Sequence, residues 1–371
     1  MKYKELKNTS TSRLPSLDGW RALSILFVLG WHSQFVCGFP QSLVPACNWL
    51  FDGNLGVRFF FVISGFLITY LLLQEHNQNG SVSLKNFYIR RAVRILPVYF
   101  AFLLVVLALQ MVTRWHQSNL IWLANFTFTT NFVYGNWLTG HLWSLAVEEQ
   151  FYILWPVLFV VFGLDGKKRI VYWILGVPLV LAPICRVITY LKVFSGGLHP
   201  FFSYFSFFNY FDSLAVGCIT AILLLKHARQ TTAVLDRFRR ESIFVALLLI
   251  SIPFILARLF LAGLVTVPFG PTLQAAGFGM LLLQSVLSPQ LFKPLNWPVT
   301  KKLGILSYSI YIWQQIFCSN PKDFGFSNVW FMTFPLWILA AVLVAILSYY
   351  GLEKPMMGLR AAFRRADRAR Q

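Results

Sequence analysis

Residues 55–74 read LGVRFFFVISGFLITYLLLQ, a run in which Arg58 is the single charge. A helix rises about 1.5 Å per residue, so this stretch matches the roughly 30 Å hydrocarbon core of a bilayer. Comparable apolar stretches recur over residues 16–36, 95–113, 143–162, 170–191, 204–225, 241–262, 270–288, 303–319 and 328–350, ten in all. They are continuous, whereas the strands of a membrane barrel would alternate over short segments, so helices are the form that satisfies the backbone here. The expected fold is all-α, a polytopic membrane bundle of about ten transmembrane helices. It is expected to form a single domain over residues 1–371, which includes a short cytoplasmic N-terminal segment 1–15 and a basic cytoplasmic tail 351–371.

Composition agrees with that reading. Hydrophobic residues make up 57% of the chain and charged residues 12%, with a mean hydropathy of +0.63, which excludes a water-soluble globule. A nucleic-acid binder shares the net charge of +19 but not the hydropathy, so the expected surroundings are membrane lipids and no nucleic acid. Placing the N-terminus in the cytoplasm puts 25 of the 32 Lys and Arg on that side and only Arg114, Lys192 and Lys322 in the opposite loops. Cationic residues are retained in cytoplasmic loops, so both termini are expected inside. The first stretch is not a signal peptide, because Asp18 and Arg21 interrupt its start and no small-residue cleavage site follows.

Cys185, Cys218 and Cys318 fall within spans and read as packing residues, whereas Cys37 and Cys47 share the first external loop, where a disulfide is one option. No cluster of Cys, His and carboxylates has metal-ligand spacing, so no metal is expected.

Function is sought among polar residues that a bilayer would exclude, because an ionisable group at depth costs about 2.5–3.5 kcal/mol on the mildest scale. Arg21 and His32 are eleven residues apart. At about 100° and 1.5 Å per residue they share a helix face and lie roughly 16 Å apart along it. Asp18, one turn before Arg21, is placed to orient its guanidinium. Snorkelling explains an isolated Arg21, and a satisfied core contact explains an isolated His32. Other polar residues at matching depth strengthen the functional reading: His141 and the Glu148–Glu149 pair in the fourth stretch, and Arg58 with Ser64-Gly65 in the second. Neighbouring carboxylates diverge by about 100°, so only one of the pair faces a given cavity. Ser64 and Gly65 also suit close helix packing.

These residues resemble the membrane-bound acyltransferase 3 family, which O-acylates sugars and other hydroxylated acceptors. LPSLDGWRALSILFVLGWHS (14–33) is similar to its first helix, and NLGVRFFFVISGFLITYLL (54–72) to its FFxxSG signature. RRAVRILPVYF (90–100) resembles its RxxR element, with Arg91 and Arg94. HLWSLAVEEQFYILWP (141–156) resembles its Glu-containing stretch, in which the first Glu, here Glu148, is the functional one. YFDSLAVGCITA, LGILSYSIYIWQQIF and GLEKP match later elements. Trp20 and Ala22 flank Arg21 where smaller or aliphatic residues are usual. Gln314 stands where many relatives carry His, which argues against proton transfer by the ninth helix.

The resemblance implies a bacterial inner-membrane enzyme that uses an acyl-CoA donor, most often acetyl-CoA, and no permanently bound cofactor. CoA phosphates would meet Arg94, then Arg91, with Lys85 a weaker neighbour and Arg21 beyond them, while Arg90 reads as a membrane anchor. The acceptor would be a hydroxyl of an extracytoplasmic glycan or glycolipid, such as a lipopolysaccharide, capsule or other cell-surface polysaccharide. Some relatives continue into an SGNH-type esterase domain; this chain ends at 371, so direct transfer or hand-over to a separate periplasmic transferase partner is expected. His32 is the expected general base, with Glu148 orienting it and Arg21 beside them, and His141 held in reserve. A covalent acyl-His intermediate stays open beside direct transfer. The competing reading is a transporter of an amphiphile or lipid-linked sugar, with Arg21, His32, Glu148 and Asp212 lining a polar path.

Overall fold

A computed structural model describes residues 14–133, 135–163, 169–194, 204–258, 265–327 and 329–358. The N-terminal segment before Leu14 and the basic tail beyond Gly358 lie outside the described residues. Ten long helices occupy the ten expected stretches: α1 (Leu17–Ser33), α2 (Gly53–Asn79), α3 (Leu84–Val112), α4 (Leu142–Val161), α5 (Ile170–Phe194), α6 (Phe211–Lys226), α7 (Arg239–Arg258), α8 (Val267–Leu287), α9 (Pro298–Phe317) and α10 (Leu336–Ser348). Six segments are long and apolar enough to cross a bilayer by themselves, and α6 and α8 qualify when joined to the segments that follow them. α1 and α9 do not, which leaves six to eight crossings by that measure rather than ten. α1 has 17 residues, and α9 carries Lys301, Lys302, Gln314 and Gln315. Both are central helices; Gln314 and Gln315 are buried among other helices, whereas Lys301 and Lys302 are exposed in the first turn of α9.

Backbone contact holds the centre together. A Cβ at Gly65 on α2 would overlap the carbonyl of Leu214 on α6, and one at Gly217 would overlap that of Val62. The two helices therefore cross with main chains touching, the arrangement small residues permit in membranes. α9 reaches α1 the same way, Gly304 lying against the Asp18 carbonyl.

Two departures from the expected layout bear on function. α3 begins at Leu84, where Ser83 accepts a hydrogen bond from the Asn86 N–H, so Lys85, Arg90, Arg91 and Arg94 ride on a helix rather than in a loop. Beyond Arg114, which the charge count places in an opposite loop, residues 115–133 fold back onto α3 and α4. Phe128 stacks on Tyr99 in the middle of α3 at 4.5 Å, and its carbonyl accepts from Gln150 Nε2, two turns inside α4. The segment carries a short helix, Asn119–Phe126, and is buried at Thr130 and Asn131. Cys37 and Cys47 are free thiols, Cys47 Sγ donating to the Gly30 carbonyl at 3.1 Å.

Gly65→Leu and Gly217→Leu should each lower the melting temperature in detergent, as overpacking of about 1–3 kcal/mol or more predicts. Gly176→Ala, on α5 with open space where the Cβ would go, should leave it unchanged or higher.

Candidate active site

Two cavities run into the bundle, and each holds one half of the expected site. The first, a partly open cavity of about 80 Å³, faces the end of the bundle where α3 begins and is lined by Arg21, Arg91 and Arg94 together with Glu148, Ser64 and Tyr152. Three guanidinium groups therefore share a wall with one carboxylate. Glu148 Oε1 accepts from Ser64 Oγ at 2.6 Å and Oε2 from the Tyr152 hydroxyl at 3.3 Å, and that hydroxyl also meets Ser64 Oγ at 3.0 Å. Arg91 lies over the Tyr152 ring at 5.0 Å, a cation–π contact. Arg94, Asp18, Tyr152 and Glu148 are the charged and polar neighbours of Arg21. Arg90 points elsewhere, paired with Glu75 at 2.7 Å, which fits the anchoring role expected of it. Glu149 is not in the cavity wall, as the divergence of adjacent helix positions requires.

The second cavity, about 410 Å³, approaches from the opposite end and contains His32 and His141. Here the structure corrects the expected partner of His32. Its Nδ1 lies 2.8 Å from Gln314 Oε1, Gln314 Nε2 donates to Gln315 Oε1 at 2.7 Å, and Gln315 Nε2 donates to the Trp137 carbonyl at 2.8 Å. Glu148, engaged with Ser64 and Tyr152, does not orient the imidazole. A carbonyl can only accept, so the Trp137 end of the relay fixes both amides and presents an oxygen to His32. Nδ1 therefore carries the proton, and the Nε2 lone pair is left for chemistry. The substitution that argued against a proton-transferring ninth helix instead supplies a neutral group that sets the tautomer.

Val57 and Tyr311 line both cavities and form the partition between them. The Tyr311 hydroxyl donates to the His141 carbonyl at 2.9 Å and lies 2.6 Å from Ser144 Oγ, which pins the ring across the gap. Arg58 and Asp212 stand apart from both. Arg58 donates to Gln274 Oε1, and Asp212 is ion-paired with Arg186 at 2.6 Å in the bundle interior. Gly65 acts through packing alone. Sequence reasoning missed Gln314 as a partner of His32, and also the buried Glu353, which accepts from Ser309 Oγ and has Arg94 and Arg21 as charged neighbours.

The chain matches the acyltransferase domain family Acyl_transf_3 over residues 14–352. It is 28% identical to the peptidoglycan O-acetyltransferase OatA of Listeria monocytogenes, covering 94% of this chain and 56% of that protein. It is 27% identical to the putative peptidoglycan O-acetyltransferase YrhL of Bacillus subtilis, over 95% of this chain and 56% of the relative. Against the putative O-acetyltransferase SACOL0978 of Staphylococcus aureus the figures are 29%, 95% and 58%. The chain thus spans little more than half the length of these relatives. No solved structure matches it. The family match runs through every helix that builds the two cavities, and the chain belongs to the acyltransferase 3 family.

Proposed function

We propose that this protein is a membrane O-acyltransferase that carries an acyl group, acetyl in the first instance, from cytoplasmic acyl-CoA to a hydroxyl of a glycan on the far side of the membrane. The observation that carries this reading is the pairing of a triply cationic cavity with a histidine cavity on the two sides of one thin partition. The basic end of the bundle faces the cytoplasm, where cationic residues are retained. There the phosphates of CoA meet Arg94 and Arg91, and the pantetheine arm runs past Arg21 toward Val57 and Tyr311. Beyond that partition the thioester reaches His32.

His32 Nε2 takes the proton of the acceptor hydroxyl as its oxygen attacks the thioester carbonyl. The carbon–sulfur bond breaks, the proton passes to the leaving thiolate, and an ester and free CoA result. The same lone pair is the nucleophile if the acyl group rests first on the imidazole. Glu148, held by Ser64 and Tyr152 on the donor side, balances the guanidinium charge rather than serving the imidazole. Two relatives are named for peptidoglycan, which supports a cell-wall glycan as acceptor over lipopolysaccharide or capsule. Transfer onto a separate extracytoplasmic transferase uses the same cavity.

Incubation of the purified protein with radiolabelled acetyl-CoA and a glycan acceptor should give labelled ester and free CoA; a protein that does neither is not a transferase. Arg94→Ala should weaken acetyl-CoA binding about 10 to 150-fold, the loss of one charge-assisted hydrogen-bonding group. Arg90→Ala, whose guanidinium is engaged by Glu75, should change it little in the same titration. His32→Gln should reduce transfer by roughly 100 to 10,000-fold while acetyl-CoA affinity stays near that of the native protein, because Gln cannot accept and carry a proton. In a Cys37→Ser background, a cysteine at Ser118 or Asn320 should react with an impermeant thiol reagent on intact cells, and one at Thr232 should not.

A further inference from the structure

The wall of the His32 cavity differs in kind from the wall of the donor cavity. Among its described lining residues there is no Lys, Arg, Asp or Glu. Beside the imidazoles of His32 and His141 and the hydroxyls of Thr130 and Tyr311, its polar groups are the amides of Asn54, Asn131, Asn136 and Gln315, and its apolar ones are aromatic rings and valines. An anionic ligand portion would enter a low-dielectric space with no countercharge, which is costly. A neutral, hydroxyl-rich ring meets what it needs, namely amides that both donate and accept and aromatic surface for its C–H face.

Trp137 is the aromatic side chain best placed to receive such a ring. Its indole lies 5.4 Å from the His32 imidazole, ring centre to ring centre, and is 40% exposed. Phe35 holds it from the side, also at 5.4 Å. The C–H bonds on one face of a pyranose carry slight positive charge and are attracted to the electron-rich face of an indole. A sugar resting on Trp137 has its rim hydroxyls beside His32. Room for it is built into the backbone, since a Cβ at Gly140, in the same wall, would meet nothing within 4 Å. The backbone and side chain of Trp137 have separable tasks, because its carbonyl terminates the Gln315–Gln314–His32 relay whatever the side chain is.

We infer that the His32 cavity is the acceptor subsite, that it takes an uncharged pyranoside ring in preference to an anionic one, and that the Trp137 indole is the platform on which that ring stacks. This rests on the transferase reading for its purpose, but binding can be measured without turnover. The probes are p-nitrophenyl N-acetyl-β-glucosaminide and p-nitrophenyl β-glucuronide, titrated calorimetrically into the purified full-length protein, with acetyl transfer from acetyl-CoA followed in parallel. The neutral glycoside should bind at least tenfold more tightly than the glucuronide.

Trp137→Ala should raise the acceptor dissociation constant and KM about tenfold or more, with kcat at saturating acceptor within a few-fold of native and acetyl-CoA affinity unchanged. Trp137→Phe should recover most of the loss, which separates stacking from general disruption. Gly140→Phe, which fills the space, should abolish glycoside binding and spare acetyl-CoA binding. If the neutral glycoside binds in a Trp137-dependent way but no acetyl group moves, the subsite stands and the transferase reading falls. If acetyl transfer proceeds while the Trp137 and Gly140 variants leave KM unchanged, or the glucuronide binds as well as the neutral sugar, the subsite is overturned and the transferase reading survives.

Discussion

Three guanidinium groups inside an apolar bundle are the constraint around which the rest of this molecule is arranged. Arg21, Arg91 and Arg94 come from two helices and converge on one cavity. Each would be expensive in hydrocarbon, and the cover they receive explains residues that otherwise look unrelated. Tyr152 offers its ring to Arg91 and its hydroxyl to Glu148, Ser64 ties Glu148 in place, and Glu353 brings a second carboxylate near Arg94 and Arg21 from beyond α10. α9 closes on α1 beside this cluster, Gly304 lying against the Asp18 carbonyl one turn from Arg21.

The two cavities use opposite electrostatic strategies. On the basic side, charge is concentrated and incompletely neutralised within the wall, which favours a polyanionic guest. On the other side, a relay of neutral amides fixes the imidazole without placing a formal charge beside it. A carboxylate in the position of Gln314 would favour the imidazolium and raise its basicity. An amide holds the ring just as firmly and leaves a neutral base.

Much of this was legible from the chain. Each of the ten apolar stretches became a helix, because continuous apolar runs leave the backbone no alternative in lipid. Arg21 and His32, expected on one helix face, line different cavities, while the placing of Glu148 rather than Glu149 in the donor-side wall agrees with family resemblance and the angle between neighbours. What stayed hidden depends on contacts distant in sequence. The fold-back at Phe128 is set by its contacts with Tyr99 and Gln150, which nothing in the adjoining sequence signals. Glu148 and His32 were paired because they are the obvious acid and base, yet they belong to different cavities. Asp212 looked like part of a polar path and is instead neutralised by Arg186, a pairing no local pattern announces.

The partition at Val57 and Tyr311 has a consequence for the membrane as a whole. Water-accessible space that ran unbroken from one face to the other would conduct protons and short-circuit the potential that energises the cell. Here the two hollows are kept apart by an aliphatic side chain and by a phenol held through its hydroxyl by neighbouring helix groups. A slender thioester arm threading that gap would plug it while it is open. In the proposed reaction the seal and the delivery route are the same two side chains.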